Sequence, residues 1–170
     1  LRKHSHWAPS ERAHAVIEIV PTRDIGRQIL RHRSFSCQEF RQRYSSEFDY
    51  AEPRQARLQD KKNRQNSFDT DDGRLHDAWQ KQQEAVKKAA QQAYDWAVGE
   101  GIAKEIARTV LPEGLTLTRL YMAGSLRSWI HYCDIRTRPD TQKEHRDVAL
   151  ACLNELKTAF PSVFIEPPAD

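Results

Sequence analysis

Between positions 31 and 44 the sequence reads RHRSFSCQEFRQRY, a short stretch that holds Arg31, Arg33, Arg41 and Arg43 with Glu39 as its single carboxylate. A guanidinium is charged at any physiological pH, so four held together repel one another until water or an anion compensates. In an extended or irregular segment, side chains at i and i+2 point the same way. Arg31 with Arg33, and Arg41 with Arg43, then form two forks suited to bidentate phosphate contact. Three blander readings fit the same residues: a solvated surface, internal salt bridges, or a patch for nucleic-acid phosphates.

Elements on either side must position these groups. HAVIEIV, 14 to 20, is rich in β-branched residues and stops at Pro21, as a strand does. PTRDIGRQILRHR follows as a helix with Thr22 at its N-cap, so the first arginine pair stands at a helix end. The text from Ser45 to Gly73 is polar and without apolar period, which predicts a long loop. LHDAWQKQQEAVKKAAQQAYDWAVGEG predicts the longest helix, with Leu75, Ala78, Trp79, Ala85, Val86, Ala89, Ala93 and Trp96 as its apolar stripe and Gly99 and Gly101 at its end. IAKEIARTVLP is a short helix closed by Pro112. GSLRSWIHYCDIR and TQKEHRDVALACLNELKTAF are two more, the second stopped by Pro161. The pattern predicts one α+β domain over residues 1–170, helix-dominated, with a small antiparallel sheet that begins near the N-terminus.

With 170 residues, the chain can bury about two thirds of its unfolded surface as one domain. Hydrophobic residues make 38 % and charged residues 30 %, with no run approaching the roughly 18 apolar residues of a membrane helix and no leader-like opening. A cytoplasmic protein that enters no membrane is expected. Cys37, Cys133 and Cys152 are odd in number and widely spaced, which fits a reducing compartment. The chain opens on Leu1 in place of Met, as part of a longer or processed protein would. Net charge is only +3, so a strong anion site must come from local clustering.

Other motifs fail. GEGIAK, 99 to 104, follows a helix and carries Lys104 where a dinucleotide fingerprint needs its third Gly. DTDDG, 69 to 73, sets Gly73 one place too early for a calcium loop. His4, His6 and His14 lack a thiolate or carboxylate at ligand spacing, so no metal site is expected. Ser10 and Ser36 have no His and Asp in a nucleophilic arrangement.

RHRSFSCQEFRQRY resembles the signature of the flavin-dependent thymidylate synthases, the ThyX family, whose usual pattern is R-H-R-x-x-S-x-N-E-x-S-x-R. KHSHWAPSE, 3 to 11, resembles the family's N-terminal His segment, IAKEIARTVLP its AR-x-VLP helix, and GSLRSWIHYCDIRTRPDTQKEHR its closing block. The likeness covers about residues 2 to 146. It implies a homotetramer with active sites shared between subunits, which moves a methylene from methylenetetrahydrofolate to C5 of dUMP and reduces it with FADH2 regenerated by NADPH. Members acting on UMP are also known, and nucleic acid is not a partner.

By that resemblance Arg31, His32 and Arg33 lie on the flavin side with His6, Glu11, Ser125, Arg127 and His131. Gln28, Glu39, Arg41, Arg43, Arg108 and Arg136 lie on the nucleotide side. Arg136 would stabilise the enolate that develops at the uracil O4 and N3 edge, while His6 would pack against the folate or flavin ring. No Cys attack is required. Gln38 replaces the pattern's Asn, Ser125 stands where Asn is frequent, and Thr141 where Ala is frequent. Arg41 replaces a small Ser beside the nucleotide, a change of volume, charge and hydrogen bonding that keeps UMP open as a substrate.

Overall fold

The computed structural model describes residues 7–40, 49–64 and 66–164. It divides into two compact units, one made of 1–19, 27–38 and 120–170, the other of 20–26 and 39–119. The expected mixture of helices and a small sheet is present.

In the first unit, the short helix α1 (Ala8–Arg12) leads into strand β1 (His14–Ile19), which pairs antiparallel with β5 (Leu120–Ser125), in a register from His14 opposite Ser125 to Ile19 opposite Leu120. Strand β2 (Ser36–Glu39) lies on the other side of β5, its last residue falling in the second unit. Leu120 and Met122 alternate inward on β5, as a half-buried strand requires. Helix α5 (Leu126–Arg136) follows directly and buries Leu126, Trp129, Ile130, Tyr132 and Cys133. It packs on α6 (Lys143–Ala159), whose inward row is His145, Ala149, Cys152 and Leu156. Phe164 in the short α7 (Pro161–Phe164) is also buried, so Pro161 opens a further turn of helix. The start of α5 is tied to the sheet, because Leu126 N–H donates to Ala13 O at 2.8 Å and the Trp129 indole donates to Ala15 O at 3.1 Å. Phe35 lies edge-on to Trp129, with ring centroids 4.8 Å apart, in a place that Gly124 keeps open: a Cβ there would stand 2.5 Å from the Phe35 ring.

Helix α2 (Arg23–Ile29) is shared, Arg23 to Gly26 belonging to the second unit and Arg27 to Ile29 to the first. Thr22 occupies its N-cap position, its carbonyl accepting from Gly26 N–H at 2.9 Å, while its hydroxyl donates to the Asp24 carboxylate at 2.6 Å.

The second unit is built on α3 (Gly73–Gly99). Asp72 caps it by accepting from Leu75 N–H at 3.2 Å, and Gly101, at φ 78°, turns the chain out of it. Its buried face is Gln83, Ala90, Tyr94 and Ala97, and Tyr94 and Ala97 meet Ala107, Val98 and Leu111. The expected stripe is displaced from that face: Leu75, Trp79, Val86 and Trp96 are exposed. Gln83 explains the shift. Its carboxamide accepts from Arg54 N–H and donates to Arg54 O, both at 2.9 Å, so a polar side chain outside the expected stripe is buried because it satisfies a backbone segment.

The segment read as a long loop contains a hairpin of β3 (Arg57–Gln59) and β4 (Ser67–Asp69), with Leu58 opposite Phe68. Asp60 closes its turn by accepting from Lys62 and Asn63 N–H at 2.8 and 3.1 Å. The AR-x-VLP stretch forms α4 (Lys104–Ala107) and a 3₁₀ turn, Arg108–Val110.

Candidate functional site

Within the first unit α5 carries polar groups on two opposite faces. Arg127, His131 and Asp134, at spacings of four and three, line a cavity of about 520 Å³ together with Trp7, Glu11, Ser34, Ser128 and Ile130. Arg127 donates to Glu11 Oε1 at 2.8 Å, and the Ser125 hydroxyl donates to Glu11 Oε2 at 3.0 Å. Ser125 also caps α5, its oxygen accepting from Ser128 N–H at 3.3 Å. The hydrogen bonds from Arg127 and then Ser125 hold the Glu11 carboxyl below the usual carboxylate range. Hydroxyls, an imidazole and a guanidinium beside an indole can take a ligand that joins an anion to an aromatic ring.

The other face is drier. Arg136 Nε donates to His32 Nε2 at 3.0 Å. His32 stands edge-on to Tyr132, with centroids 5.0 Å apart, and edge-on to the fully buried His145, with centroids 6.1 Å apart. His145 Nδ1 lies 3.3 Å from Gln28 Oε1, and Gln28 Nε2 donates to Gln142 Oε1 at 2.8 Å. Burial first, then the charge of Arg136, pulls both imidazoles down to about 4. Burial pushes the Tyr132 hydroxyl up. His145 Nε2 and Tyr132 Oη have no hydrogen-bond partner among the described residues.

In the second unit, Glu39 accepts from the buried Thr118 hydroxyl at 2.7 Å and stands 3.7 Å from Arg23. Arg108 is half-buried at the start of the 3₁₀ turn, its carbonyl accepting from Leu111 N–H.

The structure thus gathers Glu11, Arg127 and His131 around one cavity, with Ser125 behind Glu11, and Gln28, His32 and Arg136 in one layer. Arg31 and Arg33 are exposed on the turn after α2. His6, Arg41 and Arg43 lie outside the described residues. The sequence reading passed over Trp7, Ser34, Thr118, Gln142 and above all His145. A signal for His145 existed: it shares a helical face with Ala149, Cys152 and Leu156. All three cysteines are free, and burial pushes the Cys152 thiol up to about 12, which suits no nucleophile. Among the described residues no His, Cys, Asp and Glu cluster could hold a metal ion, and no helix is long and apolar enough to cross a membrane.

An α+β chain with an anion-and-ring cavity and a guanidinium set on a half-buried imidazole fits the class of proteins that bind nucleotides or nucleotide-like cofactors. Comparison with known proteins completes the assignment: the chain belongs to the thymidylate synthase complementing protein family, Thy1, whose model matches residues 1–162. A flavin-dependent thymidylate synthase of Synechocystis sp. is 49 % identical over 161 residues, covering 95 % of this chain and 74 % of that protein. A probable flavin-dependent thymidylate synthase of Paramecium bursaria Chlorella virus 1 is 45 % identical over the same shares. Another, from Kosmotoga olearia, is 31 % identical over 96 % of this chain and 71 % of its own length.

Proposed function

We infer that the chain is a flavin-dependent thymidylate synthase, which moves a methylene from methylenetetrahydrofolate to C5 of dUMP, with FAD as cofactor and NADPH as reductant. The observation that carries this is the 49 % identity over nearly the whole chain to a protein of that name. The residues present fit a flavin: Arg127, His131, Ser34 and Ser128 can donate to phosphate, and Trp7 and Ile130 offer a face to a ring. A reduced flavin held by these residues would supply the hydride that reduces the transferred carbon.

The chain's own groups bind, orient and polarise. On the flavin side we place Arg31, Arg33, His6, Ser125, His131 and Arg127 with its partner Glu11. On the nucleotide side we place Gln28, Glu39, Arg41, Arg43, Arg108 and Arg136. Uracil C5 is a poor nucleophile until negative charge gathers at O4 and N3, and the Arg136 guanidinium stabilises that charge as it grows. Thr118 and Arg23 hold the Glu39 carboxylate in one orientation.

The family match runs through both compact units, which supports reading residues 1–170 as one functional domain. A homotetramer is the proposed assembly, supported by the exposed Trp79 and Val86, which share one face of α3 and are apolar groups of the kind subunit interfaces cover. The cytoplasm is the proposed location, since the nucleotide and folate are found there.

Purified protein should be yellow, bleach with NADPH, and form thymidylate from dUMP and methylenetetrahydrofolate. A colourless protein that takes up no added FAD would refute the reading and favour a nucleic-acid module. Running UMP beside dUMP tests the part assigned to Arg41. Sedimentation of a fully active monomer would overturn the tetramer.

A further inference from the structure

The dry face of α5 holds two imidazoles, and both face groups assigned above to the nucleotide. An arginine Nε can only donate, so His32 Nε2 must accept from Arg136 with a lone pair, and its ring proton sits on Nδ1. The order runs the other way at His145. Gln28 Nε2 donates to Gln142, which leaves Gln28 Oε1 as the acceptor for a proton on His145 Nδ1. Each ring is neutral in this arrangement, with opposite ring nitrogens engaged.

The groups that meet His32 are Arg136 and Tyr132 from α5 and His145 from α6, and His131 acts on it only through space. Those against His145 are Arg136, Tyr132, His32 and Gln28. None of these is a carboxylate. That composition has a consequence. A carboxylate at His32 would orient Arg136 equally well, but its negative charge would oppose the guanidinium's pull on charge developing in a substrate. A neutral acceptor fixes the direction of the guanidinium and leaves its field intact.

We propose that His32 and His145 are positioning residues of the synthase: His32 aims the Arg136 guanidinium by accepting from Nε, and His145 aims the Gln28 carboxamide by donating to Oε1. The proposal rests on the roles given to Arg136 and Gln28 under the proposed function. It assigns His32 to the nucleotide chemistry, where the sequence resemblance set it with the flavin.

The test compares H32F and H145F, which keep a ring and lose the hydrogen bond, with H32Q and H145Q, which can restore it. H32F should lower kcat at saturating dUMP by about 30-fold with flavin content unchanged, and H32Q should recover most of that loss. H145F should instead raise KM for dUMP, and weaken dUMP binding to the flavin-free protein, by about tenfold, with H145Q recovering. Nitrogen-15 NMR of histidine-labelled wild type reads the tautomers directly, even where a variant fails to fold. The expected spectrum has His32 protonated on Nδ1 alone and His145 likewise. A proton on His32 Nε2 overturns the proposal, and so does an H32F protein whose kcat falls only in step with lost flavin. R136A serves as the control. If R136A is impaired while H32F turns over normally, the positioning role falls alone. If R136A itself keeps full kcat, the reading of Arg136 falls and carries the role of His32 with it.

Discussion

Arg127 and Arg136 stand near the two ends of α5 and on opposite faces of it, the first held by an exposed, ionised carboxylate and the second by a half-buried neutral imidazole. The side chains of Arg127 and Glu11 are 53 % and 47 % solvent-exposed, so water screens their attraction and the pair adds little to stability. Its effect is on charge, because the carboxylate offsets part of what Arg127 could offer an anion. At Arg136 the partner brings no charge, and the side chain is half-buried, so the same residue type keeps more of its field. Arginines that look alike in sequence therefore divide by partner, which fits the proposed roles of Arg127 in reversible binding and Arg136 in polarising the nucleotide.

The largest effect should come from removing the polarising guanidinium. R136A should lower kcat by about 100- to 1000-fold at saturating dUMP, the range seen when one donor to a developing oxyanion is lost. R108A should differ in kind, weakening dUMP binding by about 2 to 4 kcal/mol with less effect on saturated turnover. Steady-state kinetics on both variants decides this, and equal effects on kcat and KM in both would break the distinction between polarising and binding arginines.

A smaller effect separates the dry face from the wet one by pH. His32 and His145 are lowered from the ordinary 6.5 to about 4 in the folded protein, so the unfolded chain binds protons first as pH falls. Stability is therefore full above about pH 6.5 and is lost progressively toward about pH 4, with the fully buried His145 contributing on the order of 3 kcal/mol. Urea midpoints measured from pH 7.5 to 4.5 should fall, and H145F should flatten the fall. An equal slope in wild type and H145F would show that His145 does not carry it.

This division of labour was only half legible in the sequence. The four long helical runs and β1 followed from period and punctuation, and the RHR pattern with the closing LR block identified the family. Strand β5 was not visible, because LYMAGS is short and runs without a break into α5; pairing with β1 defines it. The hairpin of β3 and β4 was hidden because its strands are mostly exposed and polar, held by backbone pairing and the Asp60 turn. His32 drew attention as part of a motif. Its partner could not be read from the chain, since the bond to Arg136 joins residues 104 positions apart.

The smallest effect tests the wet face. In E11Q the carboxamide oxygen still accepts from Arg127 or Ser125, but the charge that competes for the guanidinium is gone. If the exposed pair holds Arg127 in reserve for an anion, E11Q should leave thermal stability almost unchanged and tighten FAD binding. The gain should be no more than about fivefold, since exposed pairs are weak. It should shrink as salt rises, because screening already reduces the competition in wild type. Titration of flavin-free protein with FAD at low and high ionic strength measures this. Weaker FAD binding in E11Q would reverse the comparison, showing that Glu11 contacts the flavin itself and that both arginines of α5 depend on their acceptors for direction.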